Sequence, residues 1–249
     1  MAKLLEVCVD SLASARAAIR GGADRLELCS ALVAGGLTPD VHLLAQIRAE
    51  SSIPVRCLMR PRAGDFLYAP EEIDLMVTQM PALKAAGADG FVIGCLNAQG
   101  DLDEEAMKKL IAAADGAPLT LHRCIDVSRD PLETYRTAGM LGIDTVLTSG
   151  AAASCMAGLE TIAALLEIRD SENGPEVLIG AGVKAPVIRT IRGKLPQASA
   201  FHASCKTDLP SGMIFRREGV PMGLPGLDEW HIPQTDENAV REAVTVLNA

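Results

Sequence analysis

The chain has 249 residues, a formal net charge of −9, and 49% hydrophobic but only 3% aromatic residues. Its acidic balance speaks against nucleic acid or an anionic membrane as partner, since both require clustered Lys and Arg. No apolar run approaches the ~20 residues that span a bilayer and the N-terminus lacks a signal-peptide core, so a soluble, cytoplasmic protein is expected.

From the N-terminus onward, runs rich in Val, Ile and Leu cover Leu4–Val9, Arg25–Cys29, Pro54–Arg60, Gly90–Cys95, Pro118–Arg123, Asp144–Thr148, Glu176–Ala181 and Ala198–Ser204. Each is followed by a helix-patterned stretch. Alternation of this kind wires a parallel sheet, because each parallel pairing needs a crossover connection. Eight such units in a chain of this length close into a barrel. The expected class is therefore α/β, with a single (β/α)8 TIM-type barrel over residues 1–249. Barrel chemistry belongs at the carboxyl ends of the strands.

Helix starts are marked by Thr38-Pro39 and Asp130-Pro131, where a capping side chain precedes proline, and by Asp101 with Glu104 at capping-box spacing. Gly21-Gly22, Gly87 and Gly139 are placed as helix terminators. Residues 205–232 break the rhythm with Pro210, Gly212, Gly219, Pro221, Gly223, Pro225 and Gly226, and read as a long irregular loop. A final helix follows over about 235–247. Loops this long are commonly functional or interfacial, either a lid over the barrel mouth or an oligomer contact.

The strands carry charge where buried parallel strands are usually apolar. The two-residue period puts Glu6 and Cys8 on one face of the first strand, and Arg25, Glu27 and Cys29 on one face of the second. If that face points inward, a Glu6–Arg25–Glu27 network is required, because a buried charge is costly unless paired. More polar groups gather at strand ends: Arg60 and Arg62, His122, Arg123 and Asp126, Ser149, and His202. After the seventh strand, Gly180-Ala181-Gly182 could let an anion approach the backbone. In an enzymatic reading, Glu6 or Glu27 serves as base and His122 or His202 as acid. Arg25, Arg60, Arg62, Arg123 and Ser149, with the Gly180–Gly182 turn, then hold a small anionic molecule. Glu27, His122 and Asp126 form a further candidate set for a divalent metal.

The seven cysteines lack C-x-x-C spacing and are expected as free thiols. Several long motifs, in order, closely resemble the CutC copper homeostasis family: Glu6-Val-Cys-Val-Asp10, Gly22 to Ser30, Gly35-Gly-Leu-Thr-Pro39, Arg60 to Tyr68, His122-Arg123 with Asp126, Leu147 to Gly150, and the Ser211 to Arg216 region. Two positions depart from the family pattern, Ala63 in place of glycine and Cys124 in place of a small residue. The resemblance implies a TIM-type barrel, a cytoplasmic location and a homodimer or homotetramer. It also implies copper as Cu(I), with Cys8 and Cys29 as ligands. Thiolate sulfur is the soft donor that Cu(I) prefers.

Overall fold

A computed structural model describes residues 3–217, 219–220, 222–223, 226 and 228–249. Eight parallel strands close into a barrel: β1 Leu4–Val9, β2 Arg25–Leu28, β3 Val55–Leu58, β4 Gly90–Ile93, β5 Leu119–Leu121, β6 Thr145–Thr148, β7 Glu176–Ile179 and β8 Ala200–Ala203. Around them run α1 Leu12–Gly21, α2 Val41–Glu50, α3 Pro70–Ala85, α4 Glu104–Ala114, α5 Pro131–Met140, α6 Leu159–Glu172, α7 Ala185–Lys194 and α8 Glu237–Asn248. β1 pairs with both β2 and β8, so the sheet has no free edge.

Side-chain alternation divides the interior in two. Leu5, Val7, Val9, Leu26, Leu28, Phe91 and Ile93 belong to the large core between the strands and the helices. The intervening positions face the lumen, where one small cluster joins Cys29, Leu58 and Val92 and another joins Leu147, Leu178 and Ala200. Burying a strand on both faces is what parallel pairing demands. Here the outer face supplies most of the apolar area, which leaves lumen positions for polar groups.

The ladders are shorter than the apolar runs. β5 stops at Leu121 because His122 accepts the Cys124 N–H at 3.2 Å and caps a 3-10 turn, Arg123–Val127. Asp130 caps α5 as its sequence position predicts, accepting from the N–H groups of Leu132 and Glu133. Two other caps lie elsewhere than expected. Asp40 caps α2, because Thr38 is bonded through its hydroxyl to the backbone of Arg60. Asp103 caps α4, while Asp101 pairs with Arg129. Gly22 ends α1 at φ 90, but Gly139 lies within α5.

The segment after β8 is partly ordered into strands. β9 Lys206–Pro210 and β10 His231–Thr235 pair as an antiparallel ribbon, with Lys206 opposite Thr235 and Pro210 opposite His231. Its residues are largely exposed, so no buried apolar period announces it. Pro221 and Pro225 of this segment lie outside the described residues. No helix among the described residues is long and apolar enough to cross a membrane.

Candidate functional site

Three neighbouring strands bring charge into the lumen. In the β1–β8 register Glu6 faces His202, and in the β1–β2 register it faces Arg25. The Glu6 carboxylate, fully buried, accepts from His202 Nδ1 at 2.8 Å and from Arg25 Nε at 2.5 Å. One step toward the mouth, Cys8 is the register partner of Glu27. His202 Nε2 lies 3.7 Å from Glu27 Oε2, and ligand atoms of Cys8, Glu27 and His202 all fall within 4.8 Å of one another. Of the Glu6–Arg25–Glu27 network expected from period two, the Glu6–Arg25 pair forms, while Glu27 makes no ion pair with Arg25 and lies beside His202.

These contacts drive the two carboxyls apart. Burial pushes Glu6 up, but the His202 hydrogen bond and the Arg25 charge outweigh it and hold the group at about 2. Burial dominates at Glu27, and with the Glu6 charge added it raises that carboxyl to about 7 against the pull of His202 and Arg25. At His202, burial opposes the cation, yet Glu27, Cys8 and the bond to Glu6 carry the imidazole well above its usual value. An acidic carboxylate, a carboxyl near neutrality and a cationic imidazole therefore share one small volume.

A second group lies at the rim. The Arg60 guanidinium is buried, donates to the carbonyls of Ala34, Gly36 and Gly64, and stacks 5.3 Å from the Phe66 ring centre. Its Nε alone lacks a partner. His122 packs against the same ring, with the two ring centres 4.7 Å apart. Burial, then the Arg60 charge, lowers this imidazole to about 3, so it is neutral. Because Nδ1 accepts from Cys124, the proton sits on Nε2, which is buried and without a partner.

Asp126 is saturated from within. It accepts from the Thr148 and Ser149 hydroxyls and from the N–H groups of Ser149 and Ala151, and it pairs with Arg123 Nε at 2.7 Å. Arg123 is also bonded to Ser149. The geometry therefore does not assemble a Glu27–His122–Asp126 metal set: Asp126 anchors the loop after β6, and His122 has spent its free nitrogen on a backbone N–H. Arg62 is occupied by Asp65 and Glu72 on the exposed side of its loop. At the turn after β7, a Cβ on Gly180 would stand 2.7 Å from Leu147 and 3.6 Å from the His202 Cβ, so this glycine makes room beside the imidazole. Gly182 has φ +81 and serves the turn itself.

The CutC family model matches residues 3–206. A family protein CutC of Porphyromonas gingivalis is 39% identical over 248 residues, covering 99% of either chain. The chain belongs to the CutC family. Among other members, a human protein named copper homeostasis protein cutC homolog is 40% identical, with 96% of this chain and 86% of that protein covered. The crystal structure of a CutC from Streptococcus agalactiae matches with a TM-score of 0.75 at 26% identity, over 81% of this chain and 98% of that one. N-(5'-phosphoribosyl)anthranilate isomerase from Pyrococcus furiosus, at TM-score 0.56 and 15% identity over 99% and 98% of the two chains, shares the barrel fold alone.

Within this CutC family member the six buried cysteines sort by face, while the seventh, the half-buried Cys205 just past β8, packs against the outer core. Cys57, Cys95, Cys124 and Cys155 are buried in the outer core, whereas Cys8 and Cys29 point into the lumen from adjacent strands. Cys29 lies one two-residue step beyond Cys8 and stands outside the Cys8–Glu27–His202 group. Burial first, then the Glu27 and Cys8 charges, pushes its thiol well above the usual value. Arg56, which the sequence pattern does not single out, is buried in the lumen. It donates to Thr120, Thr145 and Asp144. The available signal was its place in the row Arg56, Leu58, Arg60 on one face of β3.

Proposed function

We propose that the chain takes part in copper homeostasis, as the names of its relatives suggest, by binding Cu(I) in the lumen through Cys8 and Cys29. The observation that carries this reading is the sorting of the cysteines, which leaves these two sulfurs facing the lumen on neighbouring strands. Soft thiolates suit Cu(I), and His202 beside Cys8 adds an imidazole nitrogen that also suits it. The Cys29 proton must be displaced on binding, so affinity should fall as pH falls. In this reading the protein works in the cytoplasm, where thiols stay reduced, as a homodimer or homotetramer. The exposed Met213, Ile214 and Phe215 beyond β9 supply an apolar contact for such an assembly. Competition for Cu(I) against bicinchoninate tests the site. Wild type and Arg60→Ala should hold one Cu(I) per chain, and Cys8→Ala with Cys29→Ala should hold none. Unchanged stoichiometry in the double variant would remove the site.

A second reading, a barrel enzyme acting on a small anionic substrate, is favoured by the separation of Glu6 at about 2 from Glu27 at about 7. Carboxyls pushed apart in this way divide acid and base work. Glu27 would act as base, and the neutral His122 would offer its Nε2–H to a developing anion. Thermal-shift screening of phosphate- and carboxylate-bearing metabolites should reveal a stabilising ligand whose effect Glu27→Gln abolishes. A screen in which wild type responds to none would remove this reading.

A further inference from the structure

We propose that Cys8, His202 and Glu27 form a three-donor site for a divalent cation of borderline softness, Zn2+ above all, that does not use Cys29. The site shares Cys8 with the copper reading but does not depend on it. Sulfur, nitrogen and carboxylate oxygen within 4.8 Å of one another, from β1, β8 and β2, are the donor types zinc takes. The 3.7 Å between His202 Nε2 and Glu27 Oε2 is too long for a hydrogen bond. It is close to the spacing of roughly 3.3–3.8 Å between ligands of a tetrahedral ion with bonds of about 2.0–2.3 Å.

The support around these donors has the form of a metal site. Glu6 accepts from His202 Nδ1 at 2.8 Å, so when a metal ion displaces the other proton of this imidazole, the proton that stays is on Nδ1 and the freed Nε2 lone pair lies on the Glu27 side. A carboxylate behind a ligating histidine is the recurrent way such imidazoles are oriented. Arg25 in turn fixes Glu6 from the other side at 2.5 Å. All three donor residues are nearly buried, with Cys8 at 7% and Glu27 at 6% exposure and the His202 side chain at 12%. That is deep enough to exclude most water, while the small exposure keeps an entry path.

Charge selects the valence. Glu6 and Arg25 cancel, so once metal binding has displaced the protons of the three donors, a Cys8 thiolate, a Glu27 carboxylate and a neutral His202 present two negative charges to the ion. A divalent ion neutralises both, whereas Cu(I) at the same donors would leave one charge buried and unpaired, which is disfavoured. Cys29, above this plane and clustered with Leu58 and Val92, is not needed. Three protein donors leave a fourth position open toward the mouth, the pattern of zinc sites that admit water or a ligand.

Co2+ titration of the chelator-treated, reduced full chain provides the test, followed by displacement with Zn2+. Wild type and Cys29→Ala should each bind one Co2+ per chain, with a thiolate-to-cobalt charge-transfer band and the visible bands of a tetrahedral ion. Cys8→Ala should abolish the charge-transfer band. Glu27→Gln, nearly isosteric, should weaken binding at least tenfold, and Glu6→Gln by ~10- to 100-fold through loss of the orienting bond. Far-UV circular dichroism of each variant separates lost binding from lost folding. Wild type without stoichiometric Co2+, a charge-transfer band that survives Cys8→Ala, or Co2+ binding lost equally in Cys29→Ala would overturn the inference. Because the copper reading requires Cys29 and this one does not, Cys29→Ala separates the two: loss of Cu(I) with Co2+ retained supports both, and retention of both metals sinks only the two-cysteine copper site.

Discussion

His122 is a buried imidazole that caps a 3-10 turn with Nδ1 and is held at about 3 by burial and by Arg60. In the unfolded chain it titrates near 6.5. Between those values the unfolded state binds the extra proton, so this residue's contribution to stability is complete above about pH 6.5 and is lost as pH falls toward 3. At about 1.4 kcal/mol per unit, the full swing is of the order of 4–5 kcal/mol. His122→Asn keeps an acceptor suited to the cap but cannot titrate. Urea unfolding at pH 7 and pH 5 should show the variant less stable at pH 7 but losing less than wild type at pH 5. Parallel losses would refute the assignment. At this scale Glu6, Arg25 and Glu27 were legible because alternation sets each on the charged face of its strand, and His202 because it is a polar residue at a strand end. The duty of Arg60 was not, because its partners are carbonyls of Ala34, Gly36 and Gly64, and no side-chain pattern announces them.

The loop from β6 to α6 illustrates how an element is held by backbone contact. A Cβ on Gly158 would stand 2.1 Å from the Ser149 carbonyl oxygen, and one on Gly150, whose φ is +74, would stand 2.2 Å from the Gly158 carbonyl oxygen. Neither neighbour can rotate away, since both are main chain. This approach seats the start of α6 against the end of β6 and presents the Ser149 N–H and hydroxyl to Asp126. Gly158→Ala should therefore cost about 1–3 kcal/mol, the usual range for overpacking. Gly193 in α7, with nothing within 4 Å of a Cβ, provides the contrast. Gly193→Ala should raise stability by up to ~1 kcal/mol through helix propensity. Thermal unfolding of the two variants decides it, and a Gly158→Ala protein as stable as wild type would mean the contact is not what seats α6. The Thr148-Ser149-Gly150 run marked this strand end in the sequence, but the glycine pairing across eight residues is visible only in three dimensions. In the same way, Thr38 resembles a helix cap locally and is claimed instead by Arg60, a contact that depends on β2 and β3 being neighbours.

Across the whole molecule, polar staples tie opposite sides of the lumen. Glu6 joins β1 to β2 and β8, and Arg56 reaches from β3 to Thr120 on β5 and to Asp144 and Thr145 at the start of β6. Arg56 is 7% exposed, so its truncation leaves both a cavity and unpartnered hydroxyls. Arg56→Ala should cost about 2–5 kcal/mol, whereas Arg56→Met, which restores most of the volume without the charge, should cost less. A closed sheet adds a further expectation. Every strand is hydrogen-bonded on both sides, so β5 and β6 have no edge from which to fray. Loss of Arg56 should therefore lower the midpoint of a single cooperative transition rather than release one wall. Urea unfolding followed by both circular dichroism and Trp230 fluorescence, with hydrogen exchange at Leu119 on β5 and Leu5 on β1, measures this. Coincident midpoints and equal loss of protection on the two walls are expected for Arg56→Ala. Protection lost at β5 and kept at β1 would mean that the barrel is stabilised wall by wall, with Glu6 and Arg56 holding separate halves.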